Sequence, residues 1–466
     1  MNYFSQSAAL IAWLSLSLLT AGCANEKYQA KAIDPLGISA KLLNKNSTSP
    51  DFKANLIKQG YLEKDLPFAT WGLKELTLCA LYYHTKLDVA KAQLALANAV
   101  VNTANQKQNP VLGGRTARTN QANNDKSPWA FGLEVEIPIE TANKREIRVE
   151  EAQHLSEAAR IDVADSAWQL RSQIAKDLLR YHENIALQKQ FNHEAKKQDE
   201  LIKILEKRVQ LGALSNTELS LAKLLQQKTL FALNSEQKRS TEIRAALASD
   251  VGLTTENFNQ LNVKPLDLNA TFEKQSTQLT ESKSLQEKAL LNRLDIRRSL
   301  EIYAAAEAKI KLEVTKQTPD ISLSPGFVFE FGDSIWSLGF STLLNLLNKN
   351  QTLIAEATQL REIEGAQFLA LQAKIIGDLS RNLAIYQASL QNINQIKTQQ
   401  ATQMQYSQKL QRQFDAGLID RLALTQNSLN TSLLEQQLLN AQFSNLNAAL
   451  TIEDTMQRPL FDDLTF

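Results

Sequence analysis

Apolar residues recur at a four-three spacing along much of this 466-residue chain. Ile174, Leu178, Tyr181 and Ile185 form one such seam, Ile202, Leu205 and Val209 continue it, and Leu379, Leu383, Tyr386, Leu390 and Ile393 repeat it later. Seams of this kind belong to packed antiparallel helices or coiled coils. From Asn143 to Leu211 the pattern meets no Pro or Gly, which predicts a helix of about 70 residues, ~100 Å long at 1.5 Å per residue. A globular domain has no use for that length. The opposite faces are rich in Gln, as at Gln387, Gln391, Gln395 and Gln399. They read either as a solvated surface or as the polar lining of a water-filled tunnel.

Three shorter runs switch to period two. Trp129, Phe131, Leu133, Val135, Ile137 and Ile139 alternate with Ala130, Gly132, Glu134, Glu136 and Pro138. Ile321, Leu323, Phe327, Phe329 and Phe331 alternate with Asp320, Ser322, Ser324, Gly326 and Glu330, and Trp336, Leu338, Phe340 and Leu344 with Ser337, Gly339 and Ser341. Each has one bulky apolar face and one small or acidic face. Runs of ~10 residues with aromatics near their ends suit transmembrane β-strands. A fourth run, Val111 to Thr119, shows the pattern more faintly. Four strands cannot close a barrel, which needs about eight or more, and unpaired edges cannot be left in lipid. Oligomerisation follows from the strand count.

The chain states one plan twice. Residues 71–252 run as a helix from Trp71 to about Asn105, a Pro/Gly-marked patch (Asn109 to Gly114), strands, the long helix, a break at Leu211-Gly212-Ala213-Leu214-Ser215 and a return helix to about Asp250. Residues 284–456 repeat this, with breaks at Thr318-Pro319 and Ala416-Gly417-Leu418 and a last helix ending near Met456. Residues 253–283 read as a polar loop connector, and residues 457–466 as a C-terminal tail.

Composition supports long helices over many short elements: Gly (15) and Pro (10) are scarce. Lys+Arg (51) nearly cancels Asp+Glu (50), so no global field draws nucleic acid. Ala8 to Leu19 is too short to span a bilayer but suits a signal-peptide core, followed by Thr20-Ala21-Gly22-Cys23. Small residues before Cys resemble the bacterial lipobox. The resemblance implies a signal peptide over 1–22, lipidation of Cys23 and a lipidated extension over 23–70, with Ala24 directing the product to the outer membrane. The alternative is a plain secretory signal with an incidental Cys. Cys79, inside a helical pattern, is expected to be a small buried apolar residue.

Ile137-Pro138-Ile139-Glu140 running into Asn143-Lys144-Arg145-Glu146-Ile147-Arg148, then Arg293-Leu294-Asp295-Ile296 and Pro319-Asp320-Ile321-Ser322-Leu323, resemble the TolC-like outer-membrane efflux family from about Leu73 to Thr455. The Lys144-Arg145 pair is similar to its heavy-metal (CzcC-like) branch. The family usually has Pro where this chain has Leu294, and the second repeat lacks a counterpart of Pro138. The resemblance implies a mainly α fold with a small β part. Two structural repeats would supply long antiparallel coiled-coil helices for a periplasmic tunnel and four transmembrane strands per chain, and a homotrimer would complete a twelve-stranded barrel. It implies a passive exit duct that works with a periplasmic adaptor and an inner-membrane pump. Gly212, Leu214, Gly417 and Leu418 would then be adaptor-docking tips, and Glu134, Glu136 and Glu330 would face the barrel lumen. Asp415 and Asp420 read either as an acidic periplasmic gate or as ordinary helix caps. Readings from other classes are a coiled-coil envelope spacer without a pore and the outer duct of a type I protein-secretion system.

His84, His154, His182 and His193 lack ligand spacing for a metal, and no phosphate-binding Gly-rich loop or nucleophile motif is present. No catalytic, metal or cofactor site is expected.

Overall fold

The computed structural model describes residues 28–120, 127–268, 293–330, 332–344 and 348–459. Cys23 and the signal segment lie outside them, as do Phe331, residues 345–347, the start of the second repeat and the end of the tail. A first unit ends at Asn44 and contains helix α1 (Pro35–Leu43), which Asp34 caps by accepting from the Gly37 N–H. All other elements belong to the second unit, Lys45–Phe466.

In chain order these are α2 (Pro50–Lys58), α3 (Leu73–Tyr83), α4 (Thr85–Ala104), β1 (Val111–Arg118), β2 (Trp129–Ile139), α5 (Lys144–Gln210), α6 (Asn216–Val251) and the short α7 (Thr255–Asn259). The second repeat follows as α8 (Leu294–Thr315), β3 (Ile321–Glu330), β4 (Asp333–Thr342), α9 (Gln351–Asp415) and α10 (Arg421–Met456). The two hairpins match in size: α5 has 67 residues and α9 has 65, while α6 and α10 each have 36.

Both long helices leave the sheet through an Asn in the left-handed conformation, Asn143 at φ 56° and Asn350 at φ 58°. Asn tolerates that region better than most L-residues. Near the sheet, α5 lies between α4 and α8. Ser156 Oγ donates to Asn98 Oδ1 at 2.6 Å, Lys311 pairs with Glu150 at 2.7 Å, and Arg298 pairs with Asp162 at 2.6 Å. Farther along it lies between α6 and α10, where Asn184 Nδ2 donates to Glu236 Oε2 at 2.7 Å and Gln190 Nε2 to the Ser432 carbonyl at 2.8 Å. Likewise, α9 packs first on α8 and then on α10. The result is a row of four helices at either level, with α5 and α9 spanning both.

One core binds the bases of the hairpins together: Leu76 and Cys79 of α3, Ile174 and Leu178 of α5, Leu247 and Val251 of α6, Leu379 of α9, and Leu446 and Ile452 of α10 are all fully buried. Burial pushes the Cys79 thiol up to about 12, as expected of an inert apolar residue.

Several expectations need correction. The helix expected from Trp71 to Asn105 is two helices, broken at His84 (ψ 120°). Gly252, at φ +78°, brings the backbone of Tyr83 and His84 so close that a Cβ there would lie 3.0 Å from the Tyr83 carbonyl carbon. The Tyr83 carbonyl accepts from Lys45 Nζ at 2.6 Å, and His84 Nδ1 caps α4 by accepting from the Lys86 N–H. The connector is not all loop, since α7 buries Phe258, and Trp71 pairs with Val263 in a parallel bridge. Residues before Trp71 join the main core through Phe52 and Leu56 of α2. Ile185 is exposed, because there the seam passes to Leu187. β4 ends at Thr342, leaving Leu343 and Leu344 outside the strand.

Candidate conduit faces and hairpin tips

The faint run at Val111 is a full strand, so all four expected strands form. The sheet is antiparallel throughout, in the order β1-β2-β3-β4, leaving β1 and β4 as open edges. Its register decides what shares a face, because directly paired residues point the same way. Glu134 pairs with Gly113 and Gly326, Glu136 with Val111, and Glu330 with Ala130. The three glutamates therefore lie on one face, with Ser322, Gly339 and Ser341. On the other face Phe131 pairs with Phe329, Leu133 with Phe327, Phe327 with Trp336 and Leu323 with Phe340. Trp336 and Phe340 are 82% and 78% exposed on the single chain.

Two charged residues of the acidic face escaped the sequence reading. Asp333 pairs with Glu330, and Arg115 with Gly132. The signal for Arg115 was its even spacing from Val111, hidden by Gly113 and Gly114.

Where β2 turns into α5, the motif residues stitch sheet to helix. Lys144 Nζ, on a side chain 7% exposed, donates to Asp320 Oδ1 at 2.7 Å and to the Thr318 carbonyl at 2.6 Å. Arg148 grips both Glu140 oxygens, Nη2 to Oε2 at 3.0 Å. Arg293 holds Asp295 with two donors, at 2.9 and 2.7 Å, and reaches the Thr455 carbonyl. Leu294, standing where the family usually has Pro, uses the N–H that Pro lacks to donate to Gln457 Oε1 at 2.7 Å.

The two tips are near copies. Gly212 and Gly417 both sit at φ +71°, and a Cβ at either would meet nothing within 4 Å. The Gly212 N–H donates to the Val209 carbonyl and that of Ala213 to Arg208; the Gly417 and Leu418 N–H groups donate likewise to Phe414 and Gln413. Positive φ after a helix favours glycine. Leu418 is 75% exposed. Leu214 is not its equivalent: it is half-buried against the cluster of Leu201, Ile202 and Leu205. The exposed apolar residue of the first tip is Leu211, 75% exposed, which the sequence reading passed over. Asp420 caps α10, accepting from the Ala423 N–H at 3.0 Å, and pairs with Arg208 of the other tip. Arg208, and then the Ala423 N–H, hold its carboxyl below the usual range. Asp415 accepts from Gln411 Nε2 at 2.9 Å.

His154 Nδ1 lies 2.7 Å from Glu301, and burial draws His182 down to about 4, so it is neutral. Among the described residues no cluster of three His, Cys, Asp or Glu is placed to hold a metal, and no helix is long and apolar enough to cross a membrane.

No family model matches the sequence, and no curated protein does. Solved structures do. The outer membrane protein VceC from Vibrio cholerae superposes with a TM-score of 0.66 at 17% identity, over 83% of this chain and 96% of its own. The outer-membrane channel OprN gives 0.66 at 16%, over 94% and 98%. The chain has the fold of an outer-membrane channel. The Campylobacter jejuni CmeC outer membrane channel fits the same description, with a TM-score of 0.62 at 14% identity over 93% of both chains. This outer-membrane-channel fold is the mainly α architecture with a small antiparallel sheet that the resemblance to the TolC-like family implies.

Proposed function

We propose that the chain is the exit duct of a tripartite efflux system, a homotrimer passively conducting substrates from an inner-membrane pump and periplasmic adaptor across the outer membrane. One observation carries this reading. A four-stranded sheet, apolar on one face and acidic on the other, has two open edges and feeds directly into helices of 67 and 65 residues. A solitary sheet of that kind has no place in lipid, since each unpaired backbone group there costs several kcal/mol. Three copies joined edge to edge give twelve strands and no edges. The apolar face then meets lipid, and Glu134, Glu136 and Glu330 line the lumen. Lipidation at Cys23 would anchor the same assembly to the membrane that its barrel spans. A coiled-coil spacer has no use for such a sheet.

At the far end, Gly212, Leu211, Gly417 and Leu418 form the adaptor-docking surface, with Leu214 supporting it from inside. Asp415 and the Arg208-tied Asp420 stand at the periplasmic gate. A bare glycine turn with open space around it admits a partner backbone, and a side chain there displaces it. Gly212→Trp and Gly417→Trp should therefore leave the membrane-inserted trimer intact while export and adaptor cross-linking fail. The positive φ costs the variant on the order of 1–2 kcal/mol, which a large oligomer survives. Normal export by both variants would overturn the docking role. The lumen is tested separately: bilayer conductance should favour cations and lose that preference in the Glu134→Gln, Glu136→Gln, Glu330→Gln triple variant. Unchanged selectivity would remove these carboxylates from the conducting path.

A further inference from the structure

The distal part of α5 holds a carboxylate that none of these roles uses. Glu194 is 8% exposed and lies over Gln198 and Thr229, each 7% exposed. Its Oε1 accepts from Gln198 Nε2 at 3.0 Å and from the Thr229 hydroxyl at 3.1 Å. Both donors are neutral, and the second carboxylate oxygen has no hydrogen bond or ion pair among the described residues. Lys228 stands exposed nearby and makes no ion pair with it. A buried carboxylate without a cation is costly. The repeat does not impose it, because the matching position on α9, counted back from the tip glycine, is the exposed and neutral Gln399.

Glu194 and Gln198 form part of the wall of a cleft of about 660 Å³ between α5, α6 and α10, whose remaining lining mixes Phe191, Leu201 and Leu429 with Lys228, Gln426 and Asn430. That volume falls in the range of small-molecule sites, roughly 300–1,000 Å³. Walls that mix leucine and phenylalanine with amide side chains, one buried carboxylate among them and the exposed Lys228 unpaired with it, suit an apolar body bearing a single cationic nitrogen on the Glu194 side. We propose that this cleft binds an amphipathic organic amine, its ammonium paired with Glu194. The proposal does not rest on the conduit reading, since a spacer with the same helices would bind equally well.

The full chain in lipid nanodiscs, read against empty nanodiscs, is titrated with dansylcadaverine and with its N-acetylated, uncharged analogue. The dansyl emission reports entry into apolar surroundings. Wild type should prefer the amine about tenfold, the size of one charge-assisted contact. Glu194→Gln keeps the side-chain shape and an acceptor for Gln198 and Thr229, and should cut that preference below about twofold. Ala232→Trp, at the α6 wall of the cleft, should abolish saturable binding of both probes. Equal affinity of the two probes for wild type overturns the proposal without recourse to any variant. So does a preference that survives Glu194→Gln, or binding that survives Ala232→Trp.

Discussion

At the base of the second hairpin, Asn382 on α9 donates from Nδ2 to the Thr455 hydroxyl on α10 at 2.8 Å. The matching positions of the first hairpin, counted from Gly212 instead of Gly417, are Asp177 on α5 and Asp250 on α6. There the same backbone arrangement brings two carboxylates together. Asp177, 3% exposed, is already served by Gln173 at 2.6 Å and Arg180 at 2.9 Å. Asp250 Oδ2 is buried with no hydrogen-bond partner, and burial, then the adjacent Asp177, pushes its pKa up to about 7. One site of the repeat is closed by a neutral hydrogen bond that ignores pH; the other sets two carboxylates side by side, where burial favours keeping a proton. Repeat symmetry fixes where two helices touch and leaves the chemistry of the touch free.

The largest effect that would sharpen this contrast is its response to pH. Between about pH 4 and 7 the folded Asp177–Asp250 pair is expected to hold a proton that the unfolded chain releases, so stability from this site is present at low pH and falls as pH rises through about 7. Amide exchange at the α5–α6 base should be faster at pH 8 than at pH 6 after correction for intrinsic rates, with no change at the α9–α10 base. Asp250→Asn should remove the difference and stabilise the first base at pH 8 by on the order of 2 kcal/mol. If both bases respond alike, the proton is not held where we place it.

Asn382→Ala gives the reciprocal case. Loss of one neutral bond should weaken the second base by ~1 kcal/mol, equally at pH 6 and pH 8. A pH-dependent loss would count against its neutrality.

The tips extend the comparison. Asp420 caps α10, whereas Ser215, its counterpart, makes no side-chain cap on α6. Asp420→Ala should cost ~1 kcal/mol and speed exchange of the Ala423 amide, while Ser215→Ala should be close to neutral. Equal costs would show that the cap bond does not stabilise the second tip.

The smallest effect concerns Leu294, the first residue of α8. Pro is tolerated there, and the lost bond to Gln457 is offset by a stiffer unfolded chain. Leu294→Pro should change the thermal midpoint little, by a free energy of ~0.5 kcal/mol or less. A large loss would make the Gln457 contact essential to the α8 start.

The long helices and their breaks were legible in the sequence because a seam such as Leu379, Leu383, Tyr386 and Ile393 repeats on one face, and Gly212 and Gly417 interrupt it where left-handed backbone is needed. Three strands were legible from alternation. β1 was faint because Gly113, Gly114 and Arg115 erase the contrast between its faces, and only pairing with β2 reveals it. The break at His84 depends on Gly252, far along the chain, and no local pattern announces it. Lone apolar residues such as Phe258 give no period to read. Arg208 with Asp420, and Glu194 with Thr229, meet only through packing, so spacing was silent about both. The register placed the three glutamates on one face as alternation implied, and added Asp333 and Arg115.

Arg208 and Asp420 belong to different hairpins of one chain, and their pairing links the two tips directly. The repeat-related residues are Gln413 and Ser215, which carry no charge. If copies close into the ring proposed above, that uncharged pair of positions would fall at the boundary between neighbours. Joints riveted by an ion pair would thus alternate with joints that only touch.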